Sequence, residues 1–287
     1  MAGLSSNFAP VSSTTLYRPP DARRDSRASG GTVRLAALLA IAGGFLDAFT
    51  YIAHGGVFAS AQTGNVVLLG VFAAAGDWRG AVLHVMPILA FVIGVGVAEK
   101  VGDPPVGRRL KRPQRFALVL EIAVLAVVGV LPTSFSNTTV ILAVAFVAAL
   151  QSTIFGKIGG WSVNTTMTTG NLRTAAASAY RVLLRRERDR RGQAVTFGTV
   201  CIAFLLGAVL GGLVTSRLHN HAAWAVCILL SALLVLFEPD EPRTGSPPLA
   251  SSRASDNWTV ALWESLRAQV SHAAHRAYSR KNAGRQR

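Results

Sequence analysis

Long uncharged runs alternate with short, strongly basic ones along this chain. Six of the runs approach the length of a membrane span: Leu35 to Ala53, Ala81 to Glu99, Phe116 to Leu131, Thr138 to Phe155, Val195 to Val214, and Ala222 to Phe237. A bilayer core takes about 20 apolar residues in helical form. Helix is the form available, because a span must bond its own peptide groups in hydrocarbon. The third and sixth runs are short and are expected to stand nearly upright or to be extended at their ends. Val57 to Ala75 and Trp161 to Tyr180 are apolar too, but Thr-Gly-Asn and other polar residues interrupt each near its middle. Hydrophobicity alone leaves these two open.

Charge decides between six crossings and eight. Of the 29 Lys and Arg, 25 lie in four clusters: the N-terminal arm through Arg34, Lys100 to Arg115, Arg181 to Arg191, and the segment after Phe237. With six crossings all four fall on one face, as the Lys and Arg excess of cytoplasmic loops requires. With eight, the Lys100 to Arg115 cluster is thrown outside. The expectation is an all-α integral membrane protein of the inner or plasma membrane, with six transmembrane helices and both termini cytoplasmic.

Composition agrees, with 51% of residues hydrophobic and 15% charged, against roughly 25% charged in soluble domains. The net charge of +15 points to anionic lipid headgroups and away from nucleic acid, because the basic residues flank spans. Cys201 and Cys227 fall inside apolar runs, where a thiol is a small hydrophobe, and imply neither a disulfide nor a metal. Residues 1–33, rich in Ser, Pro and Arg, lack the apolar core of a signal peptide and are expected to be a disordered cytoplasmic arm. Residues 238–287 form an expected cytoplasmic tail. In it Trp258, Leu262, Trp263, Leu266 and Val270 recur at helical spacing, the pattern of an interfacial amphipathic helix.

Residues 34–131 and 138–237 carry the same succession of signals. Asp47 is followed eight residues later by Gly55-Gly56 and then by Thr63-Gly64-Asn65. Gln151 is followed eight residues later by Gly159-Gly160 and then, after a gap two residues longer, by Thr169-Gly170-Asn171. This is the signature of a duplication. Three crossings per copy turn the second copy upside down, giving two inverted three-span repeats, each with a broken or re-entrant Thr-Gly-Asn segment. In transporters of that plan, sites form where broken segments from the two halves meet near the midplane.

Gly44-Phe45-Leu46-Asp47-Ala48, Gly55-Gly56-Val57-Phe58 and Thr63-Gly64-Asn65-Val66-Val67-Leu68-Leu69-Gly70 resemble motifs of the YoaK-like family, bacterial membrane proteins with a domain of unknown function. Gln151 and Thr169-Gly170-Asn171 fit as well, although Thr-Gly-Thr is commoner there. The resemblance extends over residues 33–237 and implies a six-span bacterial membrane protein. It implies no substrate, and the arm and tail lie outside it.

Asp47 lies deep in the first run, where an ionisable side chain costs at least roughly 2.5 to 3.5 kcal/mol. It reads either as a proton, cation or ligand site, or as an acceptor for backbone N–H groups of the Thr-Gly-Asn segment. Neutral Gln151 at the matching place favours a structural component. Gln62, Thr63, Gly64, Asn65, Asn164, Thr169, Gly170 and Asn171 are candidates to line a pathway, since Gly opens backbone conformations while Thr and Asn satisfy exposed peptide groups. The alternative is a polar kink that only packs helices together.

A proton relay through Asp47 and His84 is a further candidate; a lone embedded His, however, is commonly a packing residue. Glu121 is expected to reach toward the cytoplasmic face near Arg115. Gly94 with Gly96, and Gly207 with Gly211, suggest close helix contacts. No nucleophile elbow, phosphate loop or metal-binding cluster occurs, so neither an enzyme nor a bound cofactor is expected. Two readings follow. One is a small-solute transporter or channel, with proton coupling as an option; the other is a non-transporting scaffold or lipid-interacting protein. A membrane enzyme is a weaker third.

Overall fold

The computed structural model describes residues 30–103, 110, 112–158 and 161–236. The tail expected to carry an amphipathic helix, and the arm up to residue 29, lie outside the described residues. In chain order the elements are α1 (Gly30–Ala53), α2 (Gln62–Ala74), α3 (Trp78–Gly102), α4 (Pro113–Val130) and α5 (Asn137–Ile154). The two-residue strands β1 (Lys157–Ile158) and β2 (Trp161–Ser162) follow, then α6 (Thr168–Leu184), α7 (Arg191–Leu218) and α8 (Ala223–Leu236). Single 3-10 turns at Arg188–Arg190 and His219–Ala222 flank α7.

Five stretches are long and apolar enough to cross a membrane: Gly31–Ala53, Trp78–Gly102, Pro113–Val130, Asn137–Ile154 and Arg188–Leu236. The last, at 49 residues, holds both α7 and α8. Local chemistry sets several ends. Asp77 caps α3 by accepting from the Gly80 N–H at 3.0 Å, and Pro113 opens α4, where a missing N–H costs nothing.

Side chains are distributed for a lipid surround. Val92, Ile93, Val127, Ile202, Leu205, Ile228 and Val235 are exposed, while Asp47, Asn65, Glu121, Gln151 and Asn171 are buried. An apolar exterior over polar interior groups reverses the soluble pattern and makes this a multi-pass membrane protein. The most enclosed spans are α1 and α5, with 61% and 50% of their apolar windows buried, so these two form the centre.

The pairings repeat. α1 packs on α7 and α5 on α3; α2 packs on α3 and α6 on α7; α4 packs on α5 and α8 on α1; α4 meets α8, and α1 meets α5. Exchanging α1–α4 for α5–α8 leaves this set unchanged.

Two glycine-lined crossings join the halves. A Cβ on Gly207 would fall on the Ile41 carbonyl oxygen, and one on Gly211 would lie 2.7 Å from the Phe45 carbonyl oxygen, so α7 and α1 touch backbone to backbone. On the other side a Cβ on Gly94 would come 2.7 Å from both the Phe146 oxygen and the Ala149 Cβ, closing α3 on α5. Gly96, expected to share that contact, has nothing within 4 Å; two residues along a helix turn the side chain to the far face. Gly207→Ala is therefore expected to lower stability by about 1–3 kcal/mol through overpacking. Gly212→Ala, where the nearest atom is 3.7 Å away, should be close to neutral. Thermal unfolding in detergent separates the two, and equal midpoints would contradict the close crossing.

Candidate functional site

After α1 the chain doubles back. Gly55 and Gly56 take φ of +85° and +75°, a left-handed region open to glycine, and residues 57–61 then return as non-helical chain beside α1. This return is buried, with Val57, Ala59 and Ser60 at 0% exposure. Non-helical chain lacks a helix's own ladder of bonds, so side chains meet most of its peptide groups. The Phe58 N–H donates to Asn65 Oδ1 at 3.0 Å, the Ala59 N–H to Thr50 Oγ1 at 3.1 Å, and the Ser60 N–H to Asp47 Oδ1 at 2.7 Å. Ser60 Oγ donates to Asp47 Oδ2 at 2.9 Å. Asn65 Nδ2 donates to the Phe58 carbonyl at 2.7 Å and to Gln62 Oε1 at 2.9 Å, and Gln62 Nε2 donates to the Ala59 carbonyl at 3.0 Å. Asn65 thus holds both peptide groups of the residue seven before it.

Thr-Gly-Asn was expected near the middle of a broken segment; it is instead the first turn of α2, and the non-helical part precedes it. Gly64 leaves room for Phe58, whose ring atoms would lie 2.8 and 2.9 Å from a Cβ there.

The second half repeats the clamp with one change. The Asn164 N–H donates to Asn171 Oδ1 at 3.4 Å, and Asn171 Nδ2 donates to the Asn164 carbonyl and, at 3.0 Å, to that of Met167. Where Phe58 stands in the first half, Asn164 brings its own acceptor. Its Oδ1 receives the Thr166 N–H and Oγ1, both at 3.0 Å, and the Met167 N–H at 3.1 Å. Asn164 therefore does for Thr166 what Asp47 does for Ser60. Gln151, relieved of that task, is 1% exposed, and both its amide atoms lack a partner among the described residues, as does Thr165 Oγ1.

The two returns meet. Ser60 Oγ donates to the Thr166 carbonyl at 3.3 Å, and a Cβ on Gly43 would lie 3.0 Å from the Thr165 oxygen. This seam, beside α1, is closed: Ser60, Thr165 and Thr166 are each at most 1% exposed. Of the sequence candidates, Asp47, Gln62, Asn65, Asn164 and Asn171 form its hydrogen-bond network and Gln151 is buried without a partner. Thr63, Thr169 and Gly170 sit on exposed helix surface.

Thr50, Ser60, Thr165 and Thr166 were missed. The one available signal was Thr50, a turn beyond Asp47 and so on the same face.

His84 is buried against α2, its ring stacked on Phe72 with centroids 5.3 Å apart, and none of the hydrogen bonds among the described residues joins it to Asp47. Glu121 corrects the expectation of a side chain reaching the membrane surface. It is 0% exposed, and neither oxygen accepts a hydrogen bond among the described residues. Leu118, Glu121, Leu125 and Val128 form one buried stripe of α4, and Cys227 Sγ of α8 reaches the Ile122 carbonyl at 3.6 Å. A side chain on that inward stripe is too short to snorkel out.

Residues 35–236 match the family model described as protein of unknown function, DUF1275. The chain belongs to that family. The matched stretch runs from α1 to the end of α8 and includes both asparagine clamps and the seam. The chain is also similar to the UPF0700 transmembrane protein YoaK of Bacillus subtilis (strain 168), with 23% identity over 208 residues, covering 70% of this chain and 92% of that protein. No solved structure shows a significant match.

Beyond the end of α1, His54 Nδ1 donates to Asn137 Oδ1 at 3.0 Å at the start of α5, and Asn220 Nδ2 donates to the Leu131 carbonyl at 3.1 Å after α4. Burial holds the His54 pKa below its ordinary 6.5. An unfolded chain thus binds this proton more readily than the folded one, and the stability His54 contributes is complete above pH 6.5 and lost as pH falls toward its folded value. Unfolding midpoints in detergent should drop between pH 7.5 and 5, and His54→Gln should flatten that slope; an unchanged slope would exclude His54 as its source.

At the clamp, Asp47→Asn keeps an acceptor for the Ser60 N–H and should remain near wild-type stability. Asp47→Ala and Asn65→Ala orphan buried peptide groups and should each cost about 1–3 kcal/mol. Equal stability of Asp47→Asn and Asp47→Ala would remove Asp47 from the clamp.

Proposed function

We propose that this protein is a non-enzymatic membrane transporter or channel for a small polar solute, with its pathway at the seam where residues 57–61 and 163–167 meet. The observation that carries the reading is a pair of buried, unpartnered polar groups, the Thr165 hydroxyl in that seam and the Gln151 amide at the position of α5 that answers Asp47 of α1. Buried polar atoms without partners are rare, and a hydrogen-bonding solute would supply partners for these. In this reading α1, α3, α4, α5, α7 and α8 cross, α2 and α6 re-enter, and the second half is an inverted copy of the first. The interchangeable helix pairings and the repeated clamp support the duplication. The basic clusters support cytoplasmic termini, in an inner or plasma membrane.

The seam is closed, so solute passage requires the two returns to part. The Ser60 to Thr166 hydrogen bond between them is worth only about 1 kcal/mol net. Proton coupling, where present, falls to Glu121 before Asp47. Asp47 is engaged by Ser60, whereas both Glu121 oxygens are open to a proton.

The closed packing also favours a second reading, a scaffold or lipid-interacting protein whose spans only anchor it. Purified protein in liposomes distinguishes them. Flux of a small polar solute that Gln151→Ala or Thr165→Val alters at least several-fold, at unchanged folding, supports transport. Asp47→Asn then reports whether the charge is used, and loss of pH-gradient dependence in Glu121→Gln but not His84→Gln places the proton. A broad solute screen without flux would overturn the transport reading in favour of the scaffold.

A further inference from the structure

Away from the seam, at the Arg-rich end of α6, lies a cavity of about 290 Å³ whose lining includes Arg173, Ser178, Arg181, Arg190 and Gln193. That is room for roughly ten waters, which suits a headgroup rather than a single ion. Three guanidinium groups face it, from α6 and from the 3-10 turn before α7. Among the described residues no carboxylate pairs with any of them, since the ion pair formed there is Lys100 with Asp103.

The floor is built rather than incidental. Gln193 Oε1 accepts from Ser178 Oγ at 3.1 Å and from Arg190 Nη1 at 3.3 Å. Ser178 is 4% exposed, and the Arg190 Nε–H is buried without a partner among the described residues. A guanidinium held in place without a counter-charge, with two further arginines lining the same cavity, is an arrangement that phosphate oxygens satisfy.

The neighbouring face of α6 says where such a phosphate comes from. Residues 173, 177 and 181 line the cavity at four-residue spacing. One position back along the same helix run Leu172, Ala176, Tyr180 and Leu184, all exposed, with Leu183 77% exposed beside them. An apolar stripe thus lies next to a basic one, as in interfacial helices that meet anionic lipid.

We propose that this cavity binds a phosphate-bearing anion, supplied by a phospholipid whose acyl chains lie along the apolar stripe. The site is independent of whether a solute crosses the seam.

Native mass spectrometry of the full chain released from phosphatidylglycerol or phosphatidylcholine nanodiscs tests it, with inorganic phosphate and glycerol phosphate as soluble arms. Retained phosphatidylglycerol, weakened about tenfold or more in the Arg181→Ala/Arg190→Ala double variant, is the expected result. The control is Arg185→Ala/Arg186→Ala, which removes as much charge from the same cluster without touching the cavity and should bind as wild type. Circular dichroism and unfolding midpoints establish that both variants fold. Saturable binding of inorganic phosphate with the same variant pattern, and no retained lipid, keeps the phosphate site but overturns the lipid source. Equal loss in both double variants overturns the cavity in favour of diffuse charge attraction, and no binding in any arm overturns it outright.

Discussion

Buried non-helical chain inside a membrane protein is the constraint on which this structure depends. A helix satisfies its own peptide groups, and lipid offers nothing to a segment that does not. Phe58, Ala59 and Ser60 each present a peptide N–H with no helical partner, and each is met by a different side chain: Asn65, Thr50 and Asp47. These acceptors belong to the helices on either side of the return, so satisfying the backbone also welds it to α1 and to the first turn of α2. Asp47 is an anchor before it is anything else. A carboxylate has lone pairs enough for both the Ser60 N–H and its hydroxyl, which an alcohol at that place could not serve as well.

The second half solves the same problem with different atoms, and the difference leaves something over. Asn164 uses its own side chain to receive Thr166 and Met167, the short-range Asx geometry that needs no help from a neighbouring helix. Gln151 then stands where Asp47 stands but has nothing to hold. The two positions answer each other in sequence, and in the second the Asn164 side chain has taken over the task. A buried, unengaged amide costs stability without returning any to the backbone, which is why it draws a functional reading when Asp47 does not.

Much of this was legible in the sequence and some was not, for physical reasons. Long apolar runs mark helices by length, so α1, α3 and α5 stand close to where hydrophobicity placed them. The Asp47 and Gln151 correspondence, and the paired Thr-Gly-Asn turns, led to the right neighbourhood. Within those turns only the asparagine is engaged. An asparagine side chain both donates and accepts and can therefore hold a whole peptide unit, whereas Thr63 and Thr169 face outward. Ser60, Thr50, Thr165 and Thr166 carried no pattern, because a short hydroxyl matters only through what the fold brings beside it. Glu121 was misplaced because distance along the chain to Arg115 says nothing about which face of α4 points inward. Gly96 was misplaced for the same reason.

The helix pairings determine what can move. Glycine-lined contacts lock α1 to α7 and α3 to α5, so each tight crossing joins the first helix of one half to the third of the other. With α6 riding on α7 and α2 on α3, the compact groups are α1, α6 and α7 on one side and α5, α2 and α3 on the other, bridged by α4 and α8. The first return leaves α1 in one group and enters α2 in the other; the second leaves α5 and enters α6 in the opposite sense. Both non-helical segments are therefore joints between the groups, and any separation at the seam must be taken up in them. Asp47 and Thr50 tie the first joint to α1, while Asn164 and Asn171 tie the second to itself and to α6, and no side-chain hydrogen bond among the described residues ties it to α5. Parting the groups therefore strains the joint held to its preceding helix more than the one that is not, and the side of the seam free to yield is the one that carries Thr165.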